Sequence, residues 1–344
     1  MVTIGVQTYN RKEILKMMAD SFYNADIKSE YNLRIYDDCS DEYDEKELRK
    51  IFPNAVSIVR HENNLGADGN MKYMYEDFIN SGDDIFFNAD SDLIFRKNFL
   101  DIALKFFKNT DGILSLFNAK RHKVIASDGV LVEKEILGAA GTLFSRSRLK
   151  EFVDAYRKEK VSRGYDCTWS EYFRHREYRL FAFKESLVQH IGINGYNSSI
   201  EDVDFGDGFY VDSKLNGQIL NEVLFMTIKS EKKAFRNWYA VFPFFKVGKN
   251  SRVLLYGGGQ VGNDYAKQMK TTEYCKYVGT VDSNYSSLSK CFAPEEIRNI
   301  DFDFLVLAAA RKTIREEMLA KVISIAPECV NKIINEECNI IKLN

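Results

Sequence analysis

Over roughly the first hundred residues, short β-rich runs alternate with segments of helical periodicity. "VTIGVQ" opens the chain as an apolar strand, and "RKEILKMMADSFYNA" follows with Ile14, Leu15, Met18 and Phe22 at helical spacing. "NLRIYDD" reads as a second strand, "DEKELRKIF" as a helix, "AVSIVRH" as a third strand and "GNMKYMYEDFINS" as a helix. A fourth strand, "DDIFFNADSD", ends in acid. Strands that alternate with helices of about ten to fifteen residues predict an α/β fold, its sheet mostly parallel and covered on both faces. In such sheets ligands collect at the carboxyl ends of the strands, and the polar clusters of this chain fall just after its strands.

At 344 residues the chain is long for one core and comfortable for two domains. From about 100 to 230 the pattern is less regular, with helices expected at 98–108, 147–159 and 168–177 and strands near 113–117 and 179–183. Residues 192–214 are rich in Gly, Ser, Asn and Asp and read as a long binding loop or lid. A second strand–helix unit begins near 250. The expected organisation is therefore a domain over 1–235, a connecting segment over 236–249 and a smaller parallel-sheet domain over 250–344. The connecting segment is aromatic and basic. It suits either a bilayer surface or an interdomain helix with its aromatics buried, and the second reading is favoured. A hydrophobic share of 45% and a charged share of 28% describe a soluble globular protein. The formal charge of −2 excludes a global attraction to nucleic acid or anionic lipid. The six cysteines form no CxxC pair or zinc spacing and read as reduced thiols. "MVTIGVQTYN" has no signal-peptide pattern, and no apolar run approaches the roughly 20 residues that span a bilayer, so a cytoplasmic protein is expected.

The stretch "FFNADSDLIF" carries Asp90 and Asp92 to the end of a buried strand. Desolvating one unpaired carboxylate costs several kcal/mol, and two close together repel. Something positive must compensate them, yet the nearest basic residue in sequence is Arg96. Two residues apart on an extended chain, the side chains leave the same face, where with water and phosphate oxygens they suit Mg²⁺ or Mn²⁺. Asp-x-Asp alone is weak, since Asp202/Asp204 and Asp301/Asp303 repeat it. Taken alone, the pair reads more readily as a solvated loop.

Context favours binding. "QTYNRKEIL", "IYDDCSDE", "RHENNLGADGN" and "NADSD" follow successive strands as an ordered series. Together they resemble the family 2-like glycosyltransferases of the GT-A fold, in which a Tyr-Asn pair, Asp-Asp-x-Ser, Arg followed by Asn-x-Gly, and Asp-x-Asp occur in that order. The resemblance implies that Thr8, Tyr9 and Arg11 border a nucleotide, that Asp37 or Asp38 accepts a hydrogen bond from its base, and that Arg60 lies beside it. It further implies that Asn64 and Gly66 mark the turn next to the nucleotide-sugar, and that Asp90, Ser91 and Asp92 hold metal and donor ribose. A carboxylate is a strong acceptor for a base imide N–H. Ser40 reads instead as a turn former and helix cap.

"GAAGTLFSRSRL" resembles the small-residue stretch beneath the family's acceptor. Asp166, ahead of a helix bearing Trp169 and Tyr172, stands where the family places its catalytic base, with Glu171 as the fallback. In several relatives a histidine such as His190, which closes the strand "SLVQH", supplies a third metal ligand. His61, His122 and His175 have no such context. The resemblance implies a metal-dependent (Mn²⁺ or Mg²⁺), inverting transfer from a nucleoside-diphosphate sugar, a UDP-sugar first, to a glycan or lipid-linked hydroxyl acceptor in bacterial surface polysaccharide synthesis. Such an enzyme works at the inner face of the membrane when its acceptor is lipid-linked. A nucleotidyltransferase-like enzyme is the rival from another class, but it needs a glycine-rich basic loop that "QTYNRKE" lacks. A non-catalytic nucleotide-sugar sensor is the other.

In the second unit "YGGGQVGN" supplies Gly257, Gly259 and Gly262 after the strand "RVLLY" and before a helix, and Asp282 ends the next strand. That is the context of a dinucleotide fingerprint, although about 95 residues suffice for one mononucleotide-binding half only. It resembles the small Rossmann-like domains appended to sugar-modifying enzymes. A packing or oligomerisation module and a second nucleotide site remain equal readings.

Overall fold

The computed structural model describes residues 1–157, 164–191, 206–210, 215–230, 237–288 and 291–342. The long loop expected at 192–214 lies outside them except for 206–210. The chain divides into two compact units, 1–210 and 211–344.

The first unit begins with four parallel strands, β1 (Val2–Thr8), β2 (Tyr31–Asp37), β3 (Ala55–Arg60) and β4 (Ile85–Asp90), connected by α1 (Lys12–Tyr23), α2 (Glu45–Ile51) and α3 (Gly66–Ser81). The expected alternation is present element for element. Beyond it come β5 (Leu93–Phe95), α4 (Phe99–Phe107), β6 (Ile113–Ser115), β7 (Val124–Ser127), β8 (Leu131–Lys134), β9 (Thr142–Ser145), α5 (Arg146–Tyr156), α6 (Tyr165–His175), β10 (Phe181–Phe183) and β11 (Val188–His190). They extend the sheet to nine strands in the order β3-β2-β1-β4-β9-β6-β10-β8-β7. The sheet is mixed rather than mostly parallel, because β9 lies between β4 and β6 and runs antiparallel to both.

Successive side chains on a strand face opposite ways, and each interior strand feeds two cores. Phe86 packs with Tyr75, Phe78 and Phe144 on one face, while its neighbour Phe87 packs with Phe22, Phe95 and Phe99 on the other. Ile35 and Tyr36 divide in the same way, as do Leu143 and Phe144. Each fully buried aromatic stabilises the fold by about 1.5–3 kcal/mol, and this two-sided burial leaves the strand ends as the place where polar groups gather.

The second unit comprises α7 (Gly217–Ser230), β12 (Trp238–Val241), β13 (Arg252–Tyr256), α8 (Gln260–Thr272), β14 (Lys276–Val281), β15 (Cys291–Phe292), β16 (Phe304–Leu307), α9 (Lys312–Ile325), β17 (Ile333–Ile334) and β18 (Asn339–Lys342). Its parallel sheet has the order β15-β14-β13-β16-β17. The aromatic segment is not an α-helix: Trp238–Val241 forms β12, antiparallel to β18, and a single 3-10 turn follows at Phe244–Lys246. Among the described residues no helix is long and apolar enough to cross a membrane.

Candidate active site

Strand register assembles the first half of the site. β1 pairs with β2 so that Thr8 lies opposite Asp37, and β2 pairs with β3 so that Asp37 lies opposite Arg60. On the other side of β1, Gln7 lies opposite Asp90. One row across the carboxyl ends of four parallel strands thus carries Arg60, Asp37, Thr8, Gln7 and Asp90.

The groups in this row bind one another. Arg60 Nε lies 3.1 Å from Asp37 Oδ2, and Ser40 Oγ donates to Asp37 Oδ1. Burial raises the Asp37 carboxyl above its ordinary range, partly offset by Ser40 and Arg60. Asp38 Oδ1 accepts the Leu65 N–H at 2.7 Å, and Asn64 Oδ1 accepts the Gly66 N–H at 3.0 Å, so the Asn-x-Gly turn is tied to the Asp-Asp pair. Thr8 is buried against the Tyr43 hydroxyl, whereas Tyr9 is exposed. Ser40 forms the turn, as expected, but does not cap the next helix; Asp44 does, accepting the Glu47 N–H at 2.8 Å.

The acidic pair forms the second half. Asp92 is buried, and the cation that compensates it is Arg11, not Arg96. Asn10 and Arg11 have φ of 49° and 56°, a left-handed turn that sends the guanidinium back across the strand ends. Arg11 Nη1 donates to Asp92 Oδ2 at 2.9 Å and Nη2 to Ser91 Oγ at 3.2 Å. Arg96 instead lies 3.7 Å over the Tyr210 ring. β11 pairs antiparallel to β5 with His190 opposite Leu93, which places His190 Nε2 at 3.1 Å from Asp92 Oδ1. Burial alone would raise the Asp92 carboxyl, but His190 and then Arg11 outweigh it and hold the group well below the usual range. Asp90 goes the other way: burial, then the charge of Asp92, push it up against His190 and the Gln7 hydrogen bond.

Asp90, Asp92 and His190 each offer a ligand atom, and these atoms lie within 4.8 Å of one another. Two carboxylate oxygens and an imidazole nitrogen are a donor set for a divalent first-row cation, with the imidazole favouring Mn²⁺ over Mg²⁺. The other two Asp-x-Asp pairs differ. Asp301 and Asp303 both bind Arg252, with Nη2 to Asp303 Oδ1 at 2.7 Å, and Asp202 and Asp204 lie outside the described residues.

Asp166 stands in the first turn of α6, half-buried, with Oδ1 accepting the Cys167 N–H at 2.7 Å. Its charge acts on Asp90, and a Cβ added to Gly138 would lie 3.9 Å from Asp166 Oδ2, so the small-residue stretch borders it. Glu171 lies about 140° around the same helix and is exposed. Of the other histidines, His61 binds Asn70 Oδ1 at 3.0 Å as a structural link.

Three further groups had no motif to announce them. Gln7 Nε2 donates to Asp90 Oδ1 at 2.7 Å and Asn88 Nδ2 to the same atom at 3.3 Å. The Tyr75 hydroxyl is buried without a hydrogen-bond partner among the described residues, and burial and then nearby charge, Asp166 and Asp90 included, raise it well above its ordinary value. It stays a neutral donor. A signal for Gln7 was present, since an amide inside the apolar run "VTIGVQ" requires a partner.

In the second unit Gly257 has a φ of +117° at the end of β13, and a Cβ on Gly262 would come within 1.8 Å of the Gly257 carbonyl oxygen. Gly259 caps α8 and has open space around it. Asp282 Oδ2 accepts the Gly258 N–H at 2.7 Å and Oδ1 the Asn284 N–H at 2.8 Å, so the glycine turn closes on a carboxylate of its own unit.

No curated protein matches the sequence at a significant level. Among solved structures, the chain is similar to S. aureus TarS 1–349 at 17% identity over 67% of this chain and 72% of that one, with a TM-score of 0.41. The same TarS fragment in complex with UDP-GlcNAc gives 15% identity over 68% of each chain and a TM-score of 0.44. The mannosyltransferase PcManGT from Pyrobaculum calidifontis, in complex with GDP-Man and Mn²⁺, gives 14% identity over 57% of this chain and 58% of that one, with a TM-score of 0.40. Residues 3–124 match the family model described as glycosyl transferase family 2, a span that takes in β1 to β4 and the acidic pair. The match lies wholly within the first unit, so over these residues the chain is similar to glycosyl transferase family 2.

Proposed function

We propose that the first unit transfers a sugar from a nucleoside-diphosphate sugar, a UDP-sugar first among them, to a hydroxyl of a glycan or lipid-linked acceptor, with inversion at the anomeric carbon. The convergence of Asp90, Asp92 and His190 within 4.8 Å at the strand ends carries this reading. Those three residues would hold Mn²⁺ or Mg²⁺, which supplies charge neutralisation for the departing diphosphate. Asp37 or Asp38 accepts from the base, with Arg60 beside it, while Thr8, Tyr9, Asn64 and Gly66 border the nucleotide. Arg11 and Ser91 flank the acidic pair on the donor side. Asp166 takes the proton of the acceptor hydroxyl as it attacks the anomeric carbon, and the bond to the diphosphate breaks in the same in-line step. Fixing the two substrates in that alignment contributes much of the acceleration. Assembly of a bacterial surface glycan at the inner face of the membrane is the setting this chemistry fits.

Thermal shift against UDP- and GDP-sugars, with and without Mn²⁺, tests the reading. A shift with one nucleotide that requires Mn²⁺, and that disappears together with transfer in Asp92→Asn while the far-UV circular dichroism is unchanged, is the expected result. Undiminished transfer by Asp92→Asn overturns it.

A further inference from the structure

The second unit contains a cavity of about 550 Å³, a volume typical of small-ligand sites. One wall is apolar, formed by Val241, Pro243 and Phe245. Phe244 turns inward, with its ring centroid 4.8 Å from that of Phe242 and 5.5 Å from that of Tyr274, and this leaves Phe245 turned outward at 57% exposure. Lys246 Nζ lies 5.3 Å from the centroid of this ring, and the rest of it, on a backbone fixed by the Phe245 N–H donating to Asn221 Oδ1 at 3.1 Å, is a stacking surface beside the cavity.

The remaining lining includes Gln218 and Glu222 from α7, Tyr265 from α8, Glu336 and Glu337 ahead of β18, and Asn339 at its start. Glu336 is paired with Lys246 at 2.9 Å. Glu222 differs, because burial raises its carboxyl and no charge or donor among the described residues offsets that burial. A half-buried carboxyl with no partner among the described residues stands in need of one.

We propose that this cavity is a carbohydrate subsite taking a neutral glycan, with the C–H face of one sugar ring on Phe245 and its hydroxyls donating to Glu222 and Asn339. A sugar offers an apolar face and an edge of O–H donors, and both walls are then used. A simple polyamine would satisfy the carboxylates and leave the apolar wall without a function. Uronic acids, sugar phosphates and nucleotides are repelled by Glu222 and Glu337. The site adds to the transfer reading without depending on it, since binding is measured with no donor present.

The full chain is applied to immobilised neutral hexose and N-acetylhexosamine oligosaccharides, to uronic-acid oligosaccharides and to spermine. Retention on one or more neutral glycans, weakened at least tenfold by Phe245→Ala and by Glu222→Leu, is expected. Asp92→Asn keeps that retention, and Phe245→Ala keeps the Mn²⁺-dependent nucleotide shift, so the two sites fail separately. No retention on any neutral glycan, preference for spermine, or equal retention by Phe245→Ala overturns the proposal.

Discussion

Replacing Gln7 with leucine isolates how Asp90 is prepared for a cation. The Gln7 amide is the shorter of two side-chain donors to Asp90 Oδ1, at 2.7 Å against 3.3 Å from Asn88. It is aligned by the parallel register that sets residue 7 beside residue 90. Leucine has a similar volume and suits a buried strand, so the change removes the donor without opening a cavity. A hydrogen bond to a charged group is worth about 1.5–3 kcal/mol, which converts to roughly 10–150-fold in an equilibrium constant. Partners that orient a metal-binding carboxylate typically account for about 10–100-fold in affinity. The fold loses less than the full worth of that bond, because Gln7 Oε1 has no hydrogen-bond partner among the described residues and the substitution removes that orphaned acceptor as well. Gln7→Leu is therefore expected to weaken Mn²⁺ binding roughly 10–100-fold while the metal-free melting temperature changes little. Calorimetric titration with Mn²⁺, with Asp92→Asn as the reference for a destroyed site, measures it. Affinity within about twofold of wild type refutes the reasoning, for a shift that small is under ~0.5 kcal/mol. A melting temperature that collapses along with affinity refutes it too, since Gln7 would then be a folding residue.

Two further predictions concern positions away from the acidic pair. Gly262→Ala drives a Cβ to 1.8 Å from the Gly257 carbonyl oxygen, a backbone atom that cannot swing aside, whereas Gly259→Ala meets nothing within 4 Å and has a φ of −73° that alanine accepts. Overpacking of this kind costs about 1–3 kcal/mol or more; thermal unfolding should drop for the first variant and not the second, and matching melting points contradict the close-approach argument. His122 is pushed down to about 4, by burial first and then by Arg121 and Lys134. Its unfolded form binds the proton first as pH falls from about 6.5, so its contribution is fully present above that value and is lost on the way to the folded pKa. Partial exposure limits the effect to on the order of 1 kcal/mol. Urea unfolding at pH 7 and pH 4.5 should show a loss that His122→Gln reduces, and an identical loss in both proteins rules His122 out.

β1, β2 and β4 are legible because parallel interior strands bury both faces and read as near-continuous apolar runs, while β3, at the sheet edge, is legible from its β-branched residues between two helices. β9 escapes for the opposite reason. "TLFS" has four residues, buried alike on neighbouring positions, and its place is defined by β4 and β6 on either side rather than by any local period. The connecting segment 236–249 reads as a helix in isolation, and only β18, about a hundred residues later, makes part of it a strand. Long-range partners supply what local pattern lacks.

The same division runs through the site. That acids gather after strand four, and that His190 closes a strand, follows from residue types at strand ends. What each carboxylate does there depends on neighbours from elsewhere. In sequence Asp90 and Asp92 are equivalent halves of one motif. In the fold Asp92 receives Arg11, from a left-handed turn 81 residues earlier, and His190 from β11, and is held ionised. Asp90 has amide donors only and faces Asp92 and Asp166, so its charged form is the disfavoured one. A cation bound there would therefore gain most at Asp90, whose charge His190 balances only in part, while Asp92 and Arg11 fix the frame around it. The asymmetry belongs to register and turn geometry, and no reading of "DSD" by itself contains it.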